Sequence, residues 1–436
     1  MASSTLSILI LFSLLVLCSF SNAKRSSPKP KGFIFPIKKN ETVNQYYTSI
    51  QIGSNSTKLN VVIDISGNFL WFSSEDYFSS ASSYLPIPCD SKECGIADGS
   101  GCILCEYHPP VPKCITNMCA NDALNPFSGT VGYNGLSTDV LHVYSTHGQW
   151  YNFKRFPFQY SDTVLRQGLA SSTQGVISLG RTRISLQAQL ASAFKIREKF
   201  ALCVPSSGHD GNLIIGNVAY NKPIDAISKS LISTPFIKSP VSSYVTEVNG
   251  NLTLGYFINV KSIRVNNKTL SFNNSLLSID ESTGDGGTCL RTVRSYTSLH
   301  RSIYRALVNE FVKAAASQGI KRVASVAPFG ACFDVKTIAN GKTVGPRVPI
   351  IDFVMNGKSV FWRFYGSNSM VRVSKNVMCL AFVEEVTPFV GPATSITIGG
   401  YQMENYLIEF DLTSSKLRFS PSLLLSGTSC SQFGAS

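Results

Sequence analysis

The chain has little charge and lacks the short motifs of several enzyme classes. Asp, Glu, Lys and Arg make up only 15% of its 436 residues, whereas apolar residues make up 44%, which argues against a disordered chain. It contains no Gly-x-Ser-x-Gly, no Walker loop and no His-Glu-x-x-His. Serine hydrolases with that elbow, P-loop enzymes and zinc peptidases of that type are therefore not indicated, and we expect no cofactor.

Acidic residues are scarce beside basic ones, at 26 Asp and Glu against 39 Lys and Arg, which gives a net charge of +13. Net charge bears on partners and solubility but not on the fold. The Lys and Arg residues are scattered, and the chain begins like a secreted protein, so we expect no nucleic-acid partner. An acidic polysaccharide or an acidic enzyme cleft suits this charge better.

An apolar run over residues 6–20 is followed by small residues and then by Lys24-Arg25. This pattern predicts a secretory signal peptide over 1–23, because the run is short for a membrane anchor. No later stretch reaches about 18 uninterrupted apolar residues, so we expect no membrane span. Residues 24–32 predict a flexible N-terminal segment. The glycan acceptors of a secreted chain would be Asn40, Asn55, Asn251, Asn267 and Asn273.

Cysteines are the second signal of an oxidising compartment. Removal of the signal peptide takes Cys18 and leaves eleven, an odd number, so one thiol is unpaired or pairs between chains. Cys102 and Cys105 could bind zinc, but nearby His108 supplies no matching ligand pair, so no metal site is predicted. Local bridges are favoured for the six clustered residues Cys89, Cys94, Cys102, Cys105, Cys114 and Cys119.

Short alternating strands and turns recur along the chain, and helical patterns are rare. The clearest helical stripe runs over Ser295–Ser317, and a shorter one covers Ile184–Phe194. A chain of this size exceeds one hydrophobic core, so we expect two lobes. The sequence predicts a mainly β fold with an N-terminal lobe over 33–230, a Cys-rich insertion at 89–119 and a C-terminal lobe over 231–436.

An apolar strand delivers Asp64 to a turn, in Val-Val-Ile-Asp-Ile-Ser-Gly. Together with Gly175–Gly180 and Ile396–Gly400, this pattern resembles the pepsin-like aspartic peptidases, whose two lobes each supply one catalytic carboxylate. The two carboxylates share a proton and activate water. Asp64 matches the first position, and Asp285, in Asp-Gly-Gly-Thr-Cys-Leu, is the better match to the second than Asp280.

The resemblance is closest to one plant group, on the Cys-rich 89–119 and on segments 326–332, 345–349, 361–370 and 378–382. This group comprises the basic 7S globulins, the extracellular dermal glycoproteins and inhibitors of fungal xylanases and xyloglucan-specific endoglucanases. It implies a bilobal pepsin-like fold, secretion to the plant apoplast or cell wall, and generally no peptidase activity. It also implies two bridges and a free Cys289; the bridges are Cys332–Cys379 and Cys203–Cys430.

Departures from the peptidase pattern at three places, the first turn, the second turn and the flap, predict an impaired enzyme. Ile65 replaces a hydroxyl residue that would orient the pair, and Ser66 stands where a glycine is usual. Gly286 replaces the second hydroxyl residue, and the flap stretch 125–130 has no tyrosine. Alternative interpretations are an active or residual aspartic endopeptidase and a basic wall-binding or storage-type glycoprotein.

The resemblance implies a protein inhibitor of microbial glycoside hydrolases that acts in plant defence. Such inhibitors insert a His or Arg from a loop into the carboxylate-lined cleft of their target, where two acidic groups attract a cation. Residues 421–429 contain no His and no Arg. The cations nominated for this role are Lys342, Arg347 and Arg418.

Overall fold

The computed structural model describes residues 29–78, 83–104, 115–238, 254–357, 360–385 and 393–435. From Lys31 onward the chain forms one compact unit. Several sequence predictions lie outside the described residues: the signal peptide 1–23, most of the segment 24–32, and the residues Cys105, Cys114 and Asn251.

Strands dominate the first half. The first of them begins at Gly32, one residue before the predicted start of the N-terminal lobe at residue 33. These strands are β1 Gly32–Asn40, β2 Gln45–Ile52, β3 Thr57–Asp64, β4 Leu70–Phe72, β5 Leu85–Pro86, β6 Gly101–Ile103, β7 Met118–Leu124, β8 Val131–Tyr144, β9 Trp150–Tyr160, β10 Gly175–Ser178, β11 Lys199–Cys203, β12 Gly211–Gly216 and β13 Ile232–Ile237. Short α-helices separate some of them: α1 Glu75–Phe78, α2 Lys92–Ala97, α3 Leu186–Phe194 and α4 Ile224–Ser228.

The second half is built in the same way. Its strands are β14 Tyr256–Ile258, β15 Ser262–Val265, β16 Lys268–Thr269, β17 Thr288–Arg291, β18 Thr297–Leu299, β19 Arg322–Val323, β20 Cys332–Asp334, β21 Ile351–Val354, β22 Phe361–Phe364, β23 Met370–Arg372, β24 Val377–Leu380, β25 Phe382–Glu384, β26 Ile396–Gly399, β27 Ile408–Asp411 and β28 Lys416–Phe419. Its helices are α5 Arg301–Ser317, α6 Gly366–Ser369 and α7 Gly400–Met403. The predicted mainly β fold with few helices is confirmed.

Helix α5 is shorter than its sequence pattern predicts. Ile303, Leu307 and Phe311 are buried on one face, as the spacing of four indicates. The apolar stripe extends further toward the N-terminus, but Thr297–Leu299 pair as strand β18 instead. His300 begins the helix, because its side chain accepts a hydrogen bond from the Ser302 backbone N–H. Residues 297–299 therefore belong to the sheet and not to the helix.

Twenty of the strands in the described residues join into one connected sheet, and the others form two four-stranded sheets in the orders β16–β15–β21–β22 and β19–β20–β24–β23. The predicted lobe boundary at 230/231 falls between α4 and β13, and β13 pairs with β28 near the C-terminus. Aromatic side chains join the two halves: Phe200 of β11 stacks on Phe410 of β27 with centroids 4.4 Å apart. The exact division into lobes stays a prediction, because one apolar core spans both halves.

The large sheet contains the same five-strand arrangement twice. In the first half β3 runs antiparallel to β2 and parallel to β10, while β4 runs antiparallel to β10 and parallel to β9. In the second half β17 has the same relation to β14 and β26, and β18 to β26 and β25. Strand β17 is therefore the counterpart of β3, and β26 is the counterpart of β10.

Four disulfides lie within the described residues. Two are in the Cys-rich insertion, Cys89–Cys102 and Cys94–Cys119, and the other two are Cys203–Cys430 and Cys332–Cys379. The latter two are the pairs that the family resemblance implies. Cys289 is buried as a free thiol on β17. Since Cys102 bonds to Cys89, the Cys102-x-x-Cys105 spacing does not supply two thiolates to a metal here.

Candidate functional site

Asp64 is the last residue of β3 and is only 2% exposed. Its Oδ1 accepts a hydrogen bond of 2.8 Å from the backbone N–H of Ser66, which closes a tight turn after the strand. A Cβ on Gly67 would lie 2.3 Å from Ser178 Oγ and 2.9 Å from Asp64 Oδ2. Glycine at position 67 therefore lets the turn fold closely over the carboxylate.

The counterpart of Asp64 in the second half is Arg291. Asp64 ends β3 opposite Ser178, the last residue of β10, and Arg291 ends β17 opposite Gly399, the last residue of β26. The next strand gives the same match, because Phe72 and Leu299 each follow eight residues later and pair with equivalent positions of β10 and β26. Two independent strand registers thus place an arginine where the second carboxylate was predicted.

The prediction that Asp285 occupies the second position is wrong. Asp285 is exposed and precedes β17 by three residues, so the strand does not carry it to Asp64. Its Oδ1 accepts a hydrogen bond of 2.7 Å from the Ala393 backbone N–H, and the glycines that follow have φ of +93° and +71°. The Asp-Gly-Gly sequence therefore makes a loop into β17, because glycine adopts positive φ readily.

Asp280, the rival position, is also a loop residue. Hydrogen bonds from the Ser282 hydroxyl and from the backbone of Thr283 and Ser282 lower the pKa of Asp280 to about 2. The carboxylate thus stabilises a turn at the surface. The eight-residue spacing to the following strand identifies Arg291 only once Leu299 is known to pair with Ile396, because the sequence pattern places Leu299 in a helix.

Hydroxyl groups cross between the two turns in both directions. Thr292 Oγ1 donates a 2.5 Å hydrogen bond to the Ile63 carbonyl and accepts one of 3.3 Å from the Ile65 N–H. In return Ser66 Oγ donates a 3.1 Å bond to the carbonyl of Leu290, the residue before Arg291. Ser66 thus supplies the hydroxyl that Ile65 lacks. The φ of Ser66 is not positive, so its backbone conformation does not require a glycine.

A hairpin of β7 and β8 covers Asp64. Asp122, Ala123 and Leu124 of β7 line the same cavity as Asp64, and its volume is about 10 Å³. That volume is roughly the room that one water needs. Trp71 Nε1 donates a 3.2 Å hydrogen bond to the Leu124 carbonyl and ties the hairpin to β4.

The tip of this hairpin, residues 125–130, is held by the amide of Asn125. Its Nδ2 donates to the Leu165 and Gln167 carbonyls at 2.6 and 2.7 Å, and its Oδ1 accepts from the Phe127 and Ser128 N–H groups. The side-chain amide makes four hydrogen bonds in a buried position, so the closed hairpin is the stable arrangement.

The two turns have the wrong charges for a shared-proton pair. Two carboxylates close together cannot both ionise, and that competition provides one acid and one base. A guanidinium stays protonated throughout the physiological range and has no lone pair to offer. Because Arg291 occupies the strand position equivalent to Asp64, the described residues of the two turns do not supply the second carboxylate that activation of water requires.

The nominated inhibitory cations fall into two kinds. Lys342 and Arg347 are exposed on the segment between residues 338 and 350, where the Arg347 N–H bonds the Ala339 carbonyl at 2.9 Å. Arg418 belongs to β28 and contacts Glu409 Oε2 at 2.9 Å, while Lys199 contacts Oε1 of the same buried carboxylate. Arg418 is a structural ion-pair partner, so its nomination as an inhibitory residue is corrected.

The described glycan acceptors lie where a glycan could attach. Asn55, Asn267 and Asn273 are exposed, and Asn40 is half-buried at the end of β1. Their glycosylation stays a prediction. Among the described residues, His, Cys, Asp and Glu do not gather in groups of three that could hold a metal ion. The described helices include none with the length and apolar character to cross a bilayer.

Two family profiles match the chain. The profile of the xylanase inhibitor N-terminal region matches residues 46–217, and that of the C-terminal region matches 255–421. The chain belongs to the xylanase-inhibitor family. A probable aspartic proteinase, GIP2, of Nicotiana benthamiana is 40% identical over 99% of both chains, and gamma conglutin 1 of Prunus dulcis is 35% identical over 93% of this chain and 90% of its own.

Solved structures agree with this membership. The crystal structure of edgp matches with a TM-score of 0.88 and 39% identity, covering 94% of this chain and 99% of the other. Soybean basic 7S globulin matches with a TM-score of 0.76 and 28% identity, over 92% and 98%. The predicted resemblance to this plant group and its pepsin-like fold are confirmed.

Proposed function

We propose that this xylanase-inhibitor family member is a secreted, non-proteolytic inhibitor of microbial cell-wall glycoside hydrolases. The observation that carries the first half of the proposal is that Arg291 occupies the strand position in the second half that is equivalent to Asp64 in the first. The hairpin of β7 and β8 supports it as well, since the cavity that it lines with Asp64 has room for about one water. Secretion rests on the predicted signal peptide and on the disulfides, which form in oxidising compartments.

The loop over residues 338–350 is the inhibitory element of this proposal. It presents Lys342 and Arg347 to solvent, and a loop that enters a cleft must be stiff. A Cβ on Gly341 would lie 2.0 Å from the Gly345 carbonyl oxygen, so the backbone folds back on itself on either side of Lys342. Gly345 has φ of +81° and approaches the backbone of Ser367. The loop is therefore braced against α6 and presents its cations from a rigid support.

Inhibition kinetics test the proposal directly. The mature chain is titrated into purified fungal xylanases and xyloglucan-specific endoglucanases, and the inhibition constant is compared for Lys342→Ala, Arg347→Ala and the double variant. Lys313→Ala on the exposed side of α5 removes one surface charge elsewhere and is the matched control. A desolvated charge pair is worth several kcal/mol, so the double variant should weaken inhibition by tenfold or more.

Two results would contradict the proposal in different ways. If the wild-type chain inhibits neither class of hydrolase, the partner is wrong. If it inhibits but the loop variants match Lys313→Ala, the loop assignment is wrong and another surface makes the contact. Leu425, which is 48% exposed on the C-terminal loop, is the next position to substitute in that case.

A further inference from the structure

The hairpin of β8 and β9 ends in an exposed aromatic pair. Tyr144 lies opposite Trp150 across the strands, with ring centroids 5.1 Å apart and planes tilted by 54°. Trp150 is 56% exposed and Tyr144 is 38% exposed. The chain has three tryptophans, and the other two, Trp71 and Trp362, are 2% and 0% exposed. Large aromatic side chains left in water beside each other indicate a binding surface.

Polar groups continue the same face along the hairpin. Side chains two residues apart on a strand point to the same side, so Asn152 and Lys154 follow Trp150, and His142 precedes Tyr144. Asn152 lies opposite His142, with Oδ1 2.9 Å from His142 Nδ1. That contact orients the amide and leaves its NH₂ group to donate outward. Asn152 and Lys154 are both exposed.

The outer part of the hairpin, residues 140–161, carries charge of one sign. It contains no Asp and no Glu, but it contains two His, one Lys and one Arg. Arg155 pairs with Glu93 at 3.3 Å, whereas His147, in the turn between Tyr144 and Trp150, and Lys154, further along β9, are exposed. A surface that combines aromatic faces with excess positive charge complements a ligand that is both a ring and an anion.

We propose that Tyr144, Trp150, Asn152 and Lys154, termed the aromatic hairpin face, bind a chain of uronic-acid pyranose units. The C–H face of a pyranose is apolar and slightly positive, and it stacks on the negative face of the Trp150 indole. The Asn152 amide donates to a ring hydroxyl, and Lys154 attracts a carboxylate. Lys154 lies about 13 Å along the strand from Trp150, at about 3.3 Å per residue, so an oligomer reaches both.

This binding site is separate from the loop over residues 338–350 and does not rest on the proposed inhibition of hydrolases. The two are chemically different as well. The loop offers cations to protein carboxylates in a cleft, whereas the aromatic hairpin face stacks an indole ring on a sugar ring. A basic protein that holds an acidic polysaccharide in this way would be retained in a wall that contains such polymers.

The single exposed tryptophan makes the test specific. An oligogalacturonate is titrated into the mature chain while indole fluorescence and its quenching by acrylamide are followed. Because Trp71 and Trp362 are buried, acrylamide quenches mainly Trp150. We expect saturable protection of Trp150 from the quencher. By calorimetry, Trp150→Ala should weaken binding by tenfold or more, whereas Val164→Ala, at a site that is 64% exposed, should leave it unchanged.

The charge and the sugar are tested by two further arms. Lys154→Gln should weaken binding a few-fold and reduce its dependence on salt. A neutral cello-oligosaccharide of the same length should bind more weakly than the oligogalacturonate. Absence of protection at Trp150, or equal affinity of Trp150→Ala and wild type, overturns the site. Equal binding of the neutral sugar overturns the uronic-acid assignment. Hydrolase inhibition should be unaffected by any of these variants.

Discussion

The turn that follows Asp64 and the turn that follows Arg291 have the same strand arrangement, and the residues that begin them have opposite charges. Each follows a strand that runs parallel to a partner, and each receives a hydroxyl hydrogen bond from the other turn. The scaffold of a peptidase site is therefore kept, including its crossed hydrogen bonds. The charge is not kept, because a guanidinium stands where the equivalent turn has a carboxylate. The residues that hold the two turns together are therefore not the residues that set their charge.

The crossed hydroxyls are unequal, and this difference gives the largest expected effect. Thr292→Val leaves both the Ile63 carbonyl and the Ile65 N–H unpaired in a buried place, so it should lower the free energy of unfolding by about 2–4 kcal/mol. Ser66→Ala removes one hydroxyl bond and should cost about 1 kcal/mol. Chemical denaturation of the two variants measures the ratio. Equal losses of unfolding free energy would mean that the Thr292 and Ser66 hydroxyls stabilise the two turns to the same extent.

A second comparison separates the structural arginine from the candidate inhibitory one. Arg418→Ala leaves the buried Glu409 with Lys199 as its remaining cation, and the free energy of unfolding should fall by about 1–2 kcal/mol. Arg347→Ala changes an exposed side chain and should alter stability by less than about 0.5 kcal/mol. Thermal and denaturant unfolding measure both. A stable Arg418→Ala variant that lost hydrolase inhibition would mean that Arg418 contacts the hydrolase.

The smallest effect is the dependence of stability on acidity at Asp411. Burial acts to raise the pKa of Asp411, but hydrogen bonds from Ser414 and the charges of Arg197 and Lys199 outweigh it and lower the pKa. A carboxylate whose pKa is lowered in the folded state stabilises the fold above the ordinary Asp pKa of about 3.9. This stabilisation is lost as pH falls through the pKa of the folded state. Denaturation below pH 4 should therefore show a shallower decline for Asp411→Asn than for wild type. Parallel curves would remove Asp411 from this account.

Most of the fold follows from the sequence, because it depends on patterns that are local. Alternating apolar residues predict the strands, and the stripe at Ile303, Leu307 and Phe311 predicts α5. The start of α5 was misjudged since Leu299 fits a helical stripe and a strand equally well. Only its pairing with Ile396 of β26 decides between them, and that contact is distant in sequence.

The second turn shows why the site was harder to predict. Asp285 matches the local Asp-Gly composition of a catalytic turn, but position in such a site is set by strand register across about a hundred residues. The glycines after Asp285 serve the loop, since both have positive φ. Ser66 also looked disruptive by composition, and its hydroxyl instead bonds the Leu290 carbonyl. Residue type alone pointed to Asp285 as the second carboxylate, whereas the strand register places Arg291 at that position.

Cleavage of a peptide substrate at acid pH, with and without pepstatin, tests the central claim most directly. The claim is that Arg291 takes the strand position of the second carboxylate, which activation of water by an aspartic peptidase requires. Wild type should therefore cleave no faster than Asp64→Asn, and pepstatin should change neither rate. Pepstatin-sensitive cleavage by wild type that disappears in Asp64→Asn would contradict the account, because it would require a second carboxylate at this site.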